Sequence, residues 1–502
     1  MAEPSPQRAY RAACPGCGAP VEFRSAQSAY AVCSFCRSTV VRDGDTLSRV
    51  GKMAEVFEDY SPLQLMASGR IEGRTFTLVG RLQYKGETGS WTEWVAVFDD
   101  GTQGVLGEDN GSYVFSRAAD FGRDVPAPDA LRVGGTTAAL GKSWNVASNL
   151  PVTLISAQGE LPKLPPMNAP FAMVEMRSSD GEVLSIDYGS QPPVVSRGVG
   201  VVLDGMQMSG LRDEAAKEQS ARQFSCPNCG SPVELTLAST KSITCRSCNT
   251  IIDVTQGIGG ELRHATQDEP VQPVIPLGSS GTLQGVQWQV VGYQHRMGHE
   301  PGDHDESFGW DEYLLYNRKR GFAFIVDSQD GWSMVRATTG APSLSLNKQG
   351  AVYLGQGYAL KETYEAETSY VAGEFYWPVV RGQKSFNRDF AKGASLLSME
   401  ETPHEVTWSS GTQVPSESIA AAFNLKDSPA MAKRGDSGPT TPKGSGAGMG
   451  CGTIVLLFII VLIILLVVRA CVQDDGSRSG YTSGGRTGGG SFGGSSSGGG
   501  HK

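Results

Sequence analysis

Eight cysteines carry the clearest chemistry in this 502-residue chain. Cys14, Cys17, Cys33 and Cys36 form one C-x2-C-x15-C-x2-C set, and Cys226, Cys229, Cys245 and Cys248 form a second with the same internal spacing. Each C-x-x-C is a tight knuckle that offers two thiolates to one ion, and the residues between the knuckles make a hairpin that brings them together. This is the spacing of a closed four-sulfur zinc site. Two structural Zn²⁺ sites are expected, with no open position for water or substrate. Pro15, Gly18, Pro227 and Gly230 suit the first knuckle turns, and PVEF and PVEL read as the strands that leave them. Arg37 and Arg246 stand where they would moderate the negative charge of a tetrathiolate. A redox dithiol is the weaker reading, since it has no need of four cysteines in this arrangement, twice.

The duplication extends past the cysteines. IEGRTFTLVG (Ile71 to Gly80) matches LQGVQWQVVG (Leu283 to Gly292) at the offset of 212 that also separates Cys14 from Cys226. WTEW (Trp91 to Trp94) matches WDEY (Trp310 to Tyr313) at 219, and GELP (Gly159 to Pro162) matches GEFY (Gly373 to Tyr376) at 214. The drift reads as a longer loop in the second copy. Phe76 and Leu78 alternate with Thr75 and Thr77, as Trp288 and Val290 alternate with Gln287 and Gln289, so one strand face is buried and the other wetted. WVAVF, GFAFIV and GSYVF are further strand-like runs between Gly, Asp and Asn turns. The predicted fold class is mainly β: two repeats of zinc ribbon plus an antiparallel β barrel or sandwich module, followed by one transmembrane α-helix.

The order of ribbon, G-x-x-[FW]-x-[LV]-V-G, W-x-E-[WY] and G-E-[LF] resembles an uncharacterised bacterial β-rich domain family. That family occurs in tandem with zinc ribbons and a C-terminal membrane helix. The resemblance covers about Pro62 to Leu211 and Ile275 to Leu425, together with the ribbons. It implies a setting among envelope- or membrane-stress gene sets that include polyamine-synthesis-like enzymes, and it brings no catalytic residues.

Repeated acids are the remaining candidates for chemistry. Glu93 and Glu312 lie between aromatics, and Glu160 and Glu374 follow glycines. A carboxylate pair with separated pKa values could serve as general acid and base. The plainer reading has the aromatics in a core and the acids bonded to backbone or arginine at a sheet edge. No nucleophile elbow, phosphate loop or dinucleotide fingerprint accompanies them, so an enzyme is the less favoured class. His295, His299 and His304 stand among Glu300, Asp303, Asp305 and Glu306 in what reads as a long loop, a candidate divalent-metal site or a solvated hairpin tip.

The wider composition sets the context. A formal charge of −9 provides no broad attraction to phosphate backbones, although Arg24, Arg37 and Arg42 give the first ribbon a local basic character. Nucleic acid is therefore disfavoured as a partner. The N-terminus lacks the apolar core of a secretory signal, which places the cysteines in a reducing compartment and favours metal over disulfide. The predicted organisation is ribbon 1 at 1–50, β module 1 at 61–210, a short helix and ribbon 2 at 211–256, a flexible linker at 257–274 and β module 2 at 275–425. A linker at 426–450, a membrane helix at 451–472 and a Gly/Ser tail at 473–502 follow. SESIAAAF (Ser416 to Phe423) reads as a closing helix capped by Ser416. Thr453 to Val472 supplies twenty residues for a span of about 30 Å, bracketed by Cys451 and Cys471. Exporting a short tail is easier than exporting the folded modules, so the ribbons are expected to face the cytoplasm from a single span in the inner membrane. The expected role is an anchored scaffold or adaptor with protein partners.

Overall fold

The computed structural model describes residues 10–425 apart from 26, 44–45, 53–60, 87–89, 110, 168, 213–221, 238, 256–257, 259–261, 268–270, 304–306, 329–330 and 404. The first module contains eight barrel strands: β1 (Arg74–Lys85), β2 (Ser90–Phe98), β3 (Gln103–Asp109), β4 (Ser112–Ala118), β5 (Lys142–Leu161), β6 (Phe171–Arg177), β7 (Glu182–Asp187) and β8 (Val194–Val201). The second repeats them as β9 (Val286–His299), β10 (Ser307–Asn317), β11 (Gly321–Ser328), β12 (Gly331–Ala337), β13 (Gln356–Phe375), β14 (Lys384–Lys392), β15 (Ser395–Glu401) and β16 (Val406–Val414). In each copy two four-stranded meanders join edge to edge. The order in the first is β1-β2-β3-β4-β8-β7-β6-β5, with β5 returning to β1; the second follows the same path from β9 to β13.

The return differs between copies. In the second, Glu365 to Glu367 of β13 pair with β9 on one edge and β14 on the other, which closes an eight-stranded barrel and leaves no free edge there. In the first, β5 changes partner along its length: 145–152 pair with β6 and 153–159 with β1. Pro151 sits just before the switch, where a strand paired on one edge tolerates a residue without an N–H.

Burial divides each wall into an inner and an outer face. The cluster of Trp310, Leu314, Phe324, Val326, Tyr364, Val371 and Leu396 draws on both meanders and fills the second barrel. Trp288, Val290, Tyr313, Ile325 and Trp332 face outward under helix α1 (Ser416–Phe423), which buries Ile419, Ala420 and Phe423 against them. Ser416 is not the cap of this helix. Pro415 holds that position and its carbonyl accepts from the N–H groups of Ser418 and Ile419.

The repeated glycines mark where barrel and ribbon join. Gly80 of β1 stands opposite Gly159 of β5, and Gly292 of β9 opposite Gly373 of β13. A Cβ on Gly80 would fall 1.8 Å from the Glu160 carbonyl oxygen, and one on Gly373 would fall 2.3 Å from that of Val291. Gly159 and Gly373 also take φ of 71° and 87°, open to glycine at little cost. Beyond this crossing the ribbons attach as extra strands: Tyr30–Val32 pairs with Gly159 to Leu161, and Ser242–Thr244 with Glu374 and Phe375.

Several expectations change here. The supposed long loop of the second copy is largely strand, since β9 runs to His299 and β10 begins at Ser307. The 257–274 linker is tied down in part: the buried Gln267 donates to the carbonyls of Asn249 and Val371 and accepts from the Val371 N–H, each at 2.8 Å. Of the short helix expected from Leu211, residues 213–221 lie outside the described residues, and Arg222 already opens a strand. Among the described residues no helix is long and apolar enough to cross a membrane. Thr453 to Val472, with the flanking linker and tail, lies outside them.

The two modules dock along a glycine-lined seam. The N–H groups of Ala341 and Leu354 donate to the carbonyls of Ser178 and Ser179 at 3.1 and 2.9 Å, and Ser148 bridges Glu405. A Cβ on Gly340 would lie 2.6 Å from Gly181 Cα, and one on Gly111 would lie 2.2 Å from Gly321 Cα. Gly340→Val should therefore force the backbones apart and weaken docking by about 1–3 kcal/mol, the usual range for overpacking. Limited proteolysis of the seam hairpin at 343–353 should then accelerate while the barrel ladders stay protected; unchanged cleavage would refute this account of the seam.

Candidate metal centres

Within each ribbon the four sulfurs converge. The Sγ atoms of Cys14, Cys17, Cys33 and Cys36 all lie within 4.8 Å of one another, as do those of Cys226, Cys229, Cys245 and Cys248. The Cys14–Cys36, Cys17–Cys33 and Cys226–Cys248 separations are 3.7 Å, and Cys229–Cys245 is 3.8 Å. Four sulfurs each about 2.3 Å from a tetrahedral Zn²⁺ stand about 3.8 Å apart, whereas a disulfide needs about 2.05 Å. The donor set thus fits a four-coordinate ion, and these are thiols rather than bridges.

Local backbone geometry builds the knuckles. The Gly18 and Gly230 N–H groups close onto the carbonyls of Cys14 and Cys226 at 2.8 and 2.9 Å, both glycines at positive φ. The second knuckles use Arg37 and Asn249 at the same left-handed turn, with φ of 59° and 56°. Hydroxyls support the sulfurs: Ser38 Oγ lies 3.1 Å from Cys36 Sγ, and Thr250 Oγ1 lies 3.1 Å from Cys248 Sγ. The Ser38 contact brings Cys36 down to about 6, and the Thr250 contact does the same for Cys248, while burial pushes Cys226 up to about 12. Thiols this close share few protons evenly. A divalent cation at their centre favours the thiolate form of all four.

The repeated G-E acids prove to be latches. Glu160 Oε2 accepts the N–H groups of Arg24 and Ser25 at 2.7 and 3.0 Å. Glu374 accepts from the N–H groups of Thr236 and Leu237 at 2.9 and 3.0 Å, and from the Thr240 hydroxyl at 2.6 Å. Each carboxylate therefore caps the turn inside its ribbon's hairpin, and the donating turns of the two copies stand 212 residues apart, as the cysteine sets do. Burial raises the pKa of Glu160, with the Ser25 and Arg24 bonds opposing it.

Glu93 and Glu312 go elsewhere, into the barrel lumens, on the face shared with Trp91 and Val95 or Trp310 and Leu314. Glu312 accepts from Trp310 Nε1 at 2.7 Å and from the Gln294 amide. Arg296 stands beside it, with Nη1 3.8 Å from Glu312 Oε1 and Nη2 3.0 Å from Glu400 Oε1. Burial raises the pKa of Glu312, and Arg296 opposes the rise. By strand register Tyr84 occupies in the first barrel the place of Arg296 in the second, each facing a tryptophan, and Asp187 the place of Glu400. The sequence motif drew attention to the glutamates but not to these partners, which come from distant strands.

Among the described residues, His295 and His299 are not gathered into a metal site. His295 Nδ1 pairs with Asp311 Oδ1 at 2.7 Å, and His299 Nε2 lies 3.9 Å from Glu365. Among the described residues only the two cysteine sets bring three or more such ligands together; His304, Asp305 and Glu306 lie outside them.

Comparison with known families agrees with the duplication. A family described as Domain of unknown function (DUF4178) matches residues 65–201 and again 276–416, more than half of the chain. The chain belongs to this family. Each DUF4178 match begins just ahead of the first barrel strand of its copy and leaves the cysteine sets outside. No curated protein and no solved structure matches the chain.

Two measurements follow from this geometry. Freshly purified protein should hold two equivalents of zinc per chain, one lost with Cys14→Ser and the other with Cys226→Ser, as read by elemental analysis. Glu374→Ala should destabilise the second ribbon and its docking by about 2–3 kcal/mol, because it strands buried donors that met a charged acceptor; denaturant melts would show a smaller effect if the latch were idle.

Proposed function

We propose that this protein is a zinc-binding scaffold with two binding modules, anchored at the inner membrane by Thr453 to Val472 and facing the cytoplasm. The observation that carries the scaffold reading is the latch: in both copies the repeated G-E acid is spent on holding the ribbon to its DUF4178 barrel. Zinc ions would be held by Cys14, Cys17, Cys33 and Cys36 and by Cys226, Cys229, Cys245 and Cys248, where they supply structure and leave no coordination position for a substrate. Two similar ribbon–barrel units on one tether offer two similar surfaces, and confinement near a membrane raises the effective concentration of whatever both contact. An enzyme using the repeated glutamates is less well supported, since Glu160 and Glu374 cap turns and Glu312 is engaged by Trp310, Gln294 and Arg296.

Gentle detergent extraction of the full-length protein should recover a stoichiometric protein partner. That partner should persist in the folded Glu93→Gln/Glu312→Gln variant and disappear when the eight ribbon cysteines become serine. A folded wild-type chain that is extracted alone, or recovered in the soluble fraction, would overturn the reading.

A further inference from the structure

The lumen of the second barrel holds a chain of polar side chains bonded to one another. Gln294 Nε2 donates to Glu312 Oε2, and Trp310 Nε1 donates to Glu312 Oε1. Arg296 comes next: its Nη2 donates to Ser385 Oγ at 2.7 Å and to Glu400 Oε1 at 3.0 Å. Asn387 Nδ2 donates to the same Ser385 Oγ at 3.0 Å. Gln294, Arg296, Glu312 and Asn387 are no more than 2% exposed, and Ser385 and Glu400 are 6% exposed.

These bonds leave part of the chain's capacity unused. Gln294 Oε1, Arg296 Nε and Nη1, Asn387 Oδ1 and Glu400 Oε2 are buried and meet no hydrogen-bond partner among the described residues. Arg296 Nη1 stands 3.8 Å from Glu312 Oε1, too far for a direct bond and close enough for one molecule to bridge. Turning the two amides is no remedy. It would set the Gln294 oxygen against the Glu312 carboxylate and the Asn387 oxygen against the Ser385 carbonyl, to which Nδ2 lies at 3.3 Å.

The first barrel shows that the wall does not demand this polarity. Leu82 stands opposite Glu93 as Gln294 does opposite Glu312, and Tyr84 opposite Trp91 as Arg296 does opposite Trp310. Met173 stands opposite Asp187 as Asn387 does opposite Glu400, and Phe171 precedes Met173 as Ser385 precedes Asn387. Leu82, Tyr84, Phe171 and Met173 pack into one cluster, with the Tyr84 ring stacked on Trp91 and edge-on to Phe171. All four positions are polar in the second copy, and three of them carry the unmet atoms. Buried polar groups in such a setting are satisfied by internal water. Glu312 and Glu400 repel an anion and Arg296 between them repels a cation, so the occupant is neutral, and it must both donate and accept.

We infer that the second barrel is a binding site for internal water, a cluster held by Gln294, Arg296, Asn387 and Glu400. Arg296 Nε and Nη1 offer about three N–H donors to match the three acceptor oxygens; at about three bonds per buried water, the cluster holds about two molecules.

Magnetic relaxation dispersion of water oxygen on the full-length protein counts slowly exchanging internal waters. The wild type should hold about two more of them than Gln294→Leu/Arg296→Tyr/Ser385→Phe/Asn387→Met, which transfers the first barrel's side chains. Equal counts in the two folded proteins overturn the inference. Should the variant fail to fold, the electron density of the wild type decides. Solvent peaks within about 3.2 Å of Arg296 Nη1 and Glu400 Oε2 support the site, and their absence refutes it. An organic molecule released in stoichiometric amount on denaturation, as read by mass spectrometry, would overturn water as the occupant.

Discussion

The organisation of each copy depends on a close backbone crossing that only glycine permits. Gly80 and Gly159 in the first copy, and Gly292 and Gly373 in the second, face each other where the first barrel strand meets a strand of twenty residues. That long strand must be part of the barrel wall and, a residue later, part of the ribbon's sheet. A side chain at the crossing would meet carbonyl oxygens at less than van der Waals distance, so the strand would have to leave the wall earlier and the ribbon would lose its edge. The glutamate that follows each glycine then emerges on the ribbon side, where its carboxylate finds the N–H groups of a turn. Glycine sets the path and glutamate fastens what the path delivers.

The cysteine set and the latch are mutually dependent. A segment of about forty residues cannot bury enough apolar surface to fold alone, and the ribbon cores are small, with Val21, Phe23, Ala31 and Val40 in the first and Val233, Leu235, Ile243 and Ile252 in the second. Closing four sulfurs on an ion would fix both knuckles, and this in turn would fix the hairpin turn whose N–H groups the glutamate requires. Without that turn, Glu160 and Glu374 would be buried carboxylates with few donors, a costly state. Ribbon and barrel are therefore one cooperative unit in each copy, with the zinc-site geometry at one end and the barrel at the other.

Much of this was legible in the sequence, for identifiable reasons. Cysteine spacing reports a local constraint, so the convergence of both cysteine sets could be read directly. Strand alternation and the offsets of 212, 219 and 214 exposed a duplicated β module. The partners of the lumen acids were hidden because Arg296, Ser385 and Glu400 meet only once β9, β14 and β15 surround a common interior. The histidine-rich stretch misled because polarity and glycine suggest a loop, whereas backbone pairing with β10 and β13 carries β9 through His299. Gln267 was equally invisible: one amide in a polar connector becomes a buried hub when Asn249 and Val371 approach it from two other segments.

The two barrels have not kept equivalent interiors. Glu93 and Asp187 surround Tyr84 in the first, and Glu312 and Glu400 surround Arg296 in the second. A phenol leaves the two acids to be handled by others, as Lys163 does for Asp187; a guanidinium joins both acids into one charged network that spans the lumen. Such a network stabilises only while every member is in place, since removing one ion strands the rest in a low dielectric. Glu400 belongs to that network and also lies beside Glu405 at the seam. The second barrel's interior is consequently in electrostatic contact with the docking surface, and the first barrel meets the seam through the Glu175–Arg177 pair, whose guanidinium also donates across it to the Thr338 carbonyl. Duplication supplied two walls of the same design, and the inward Arg296, where the first copy has Tyr84, ties Glu312 to Glu400, the acid that neighbours Glu405 at the seam.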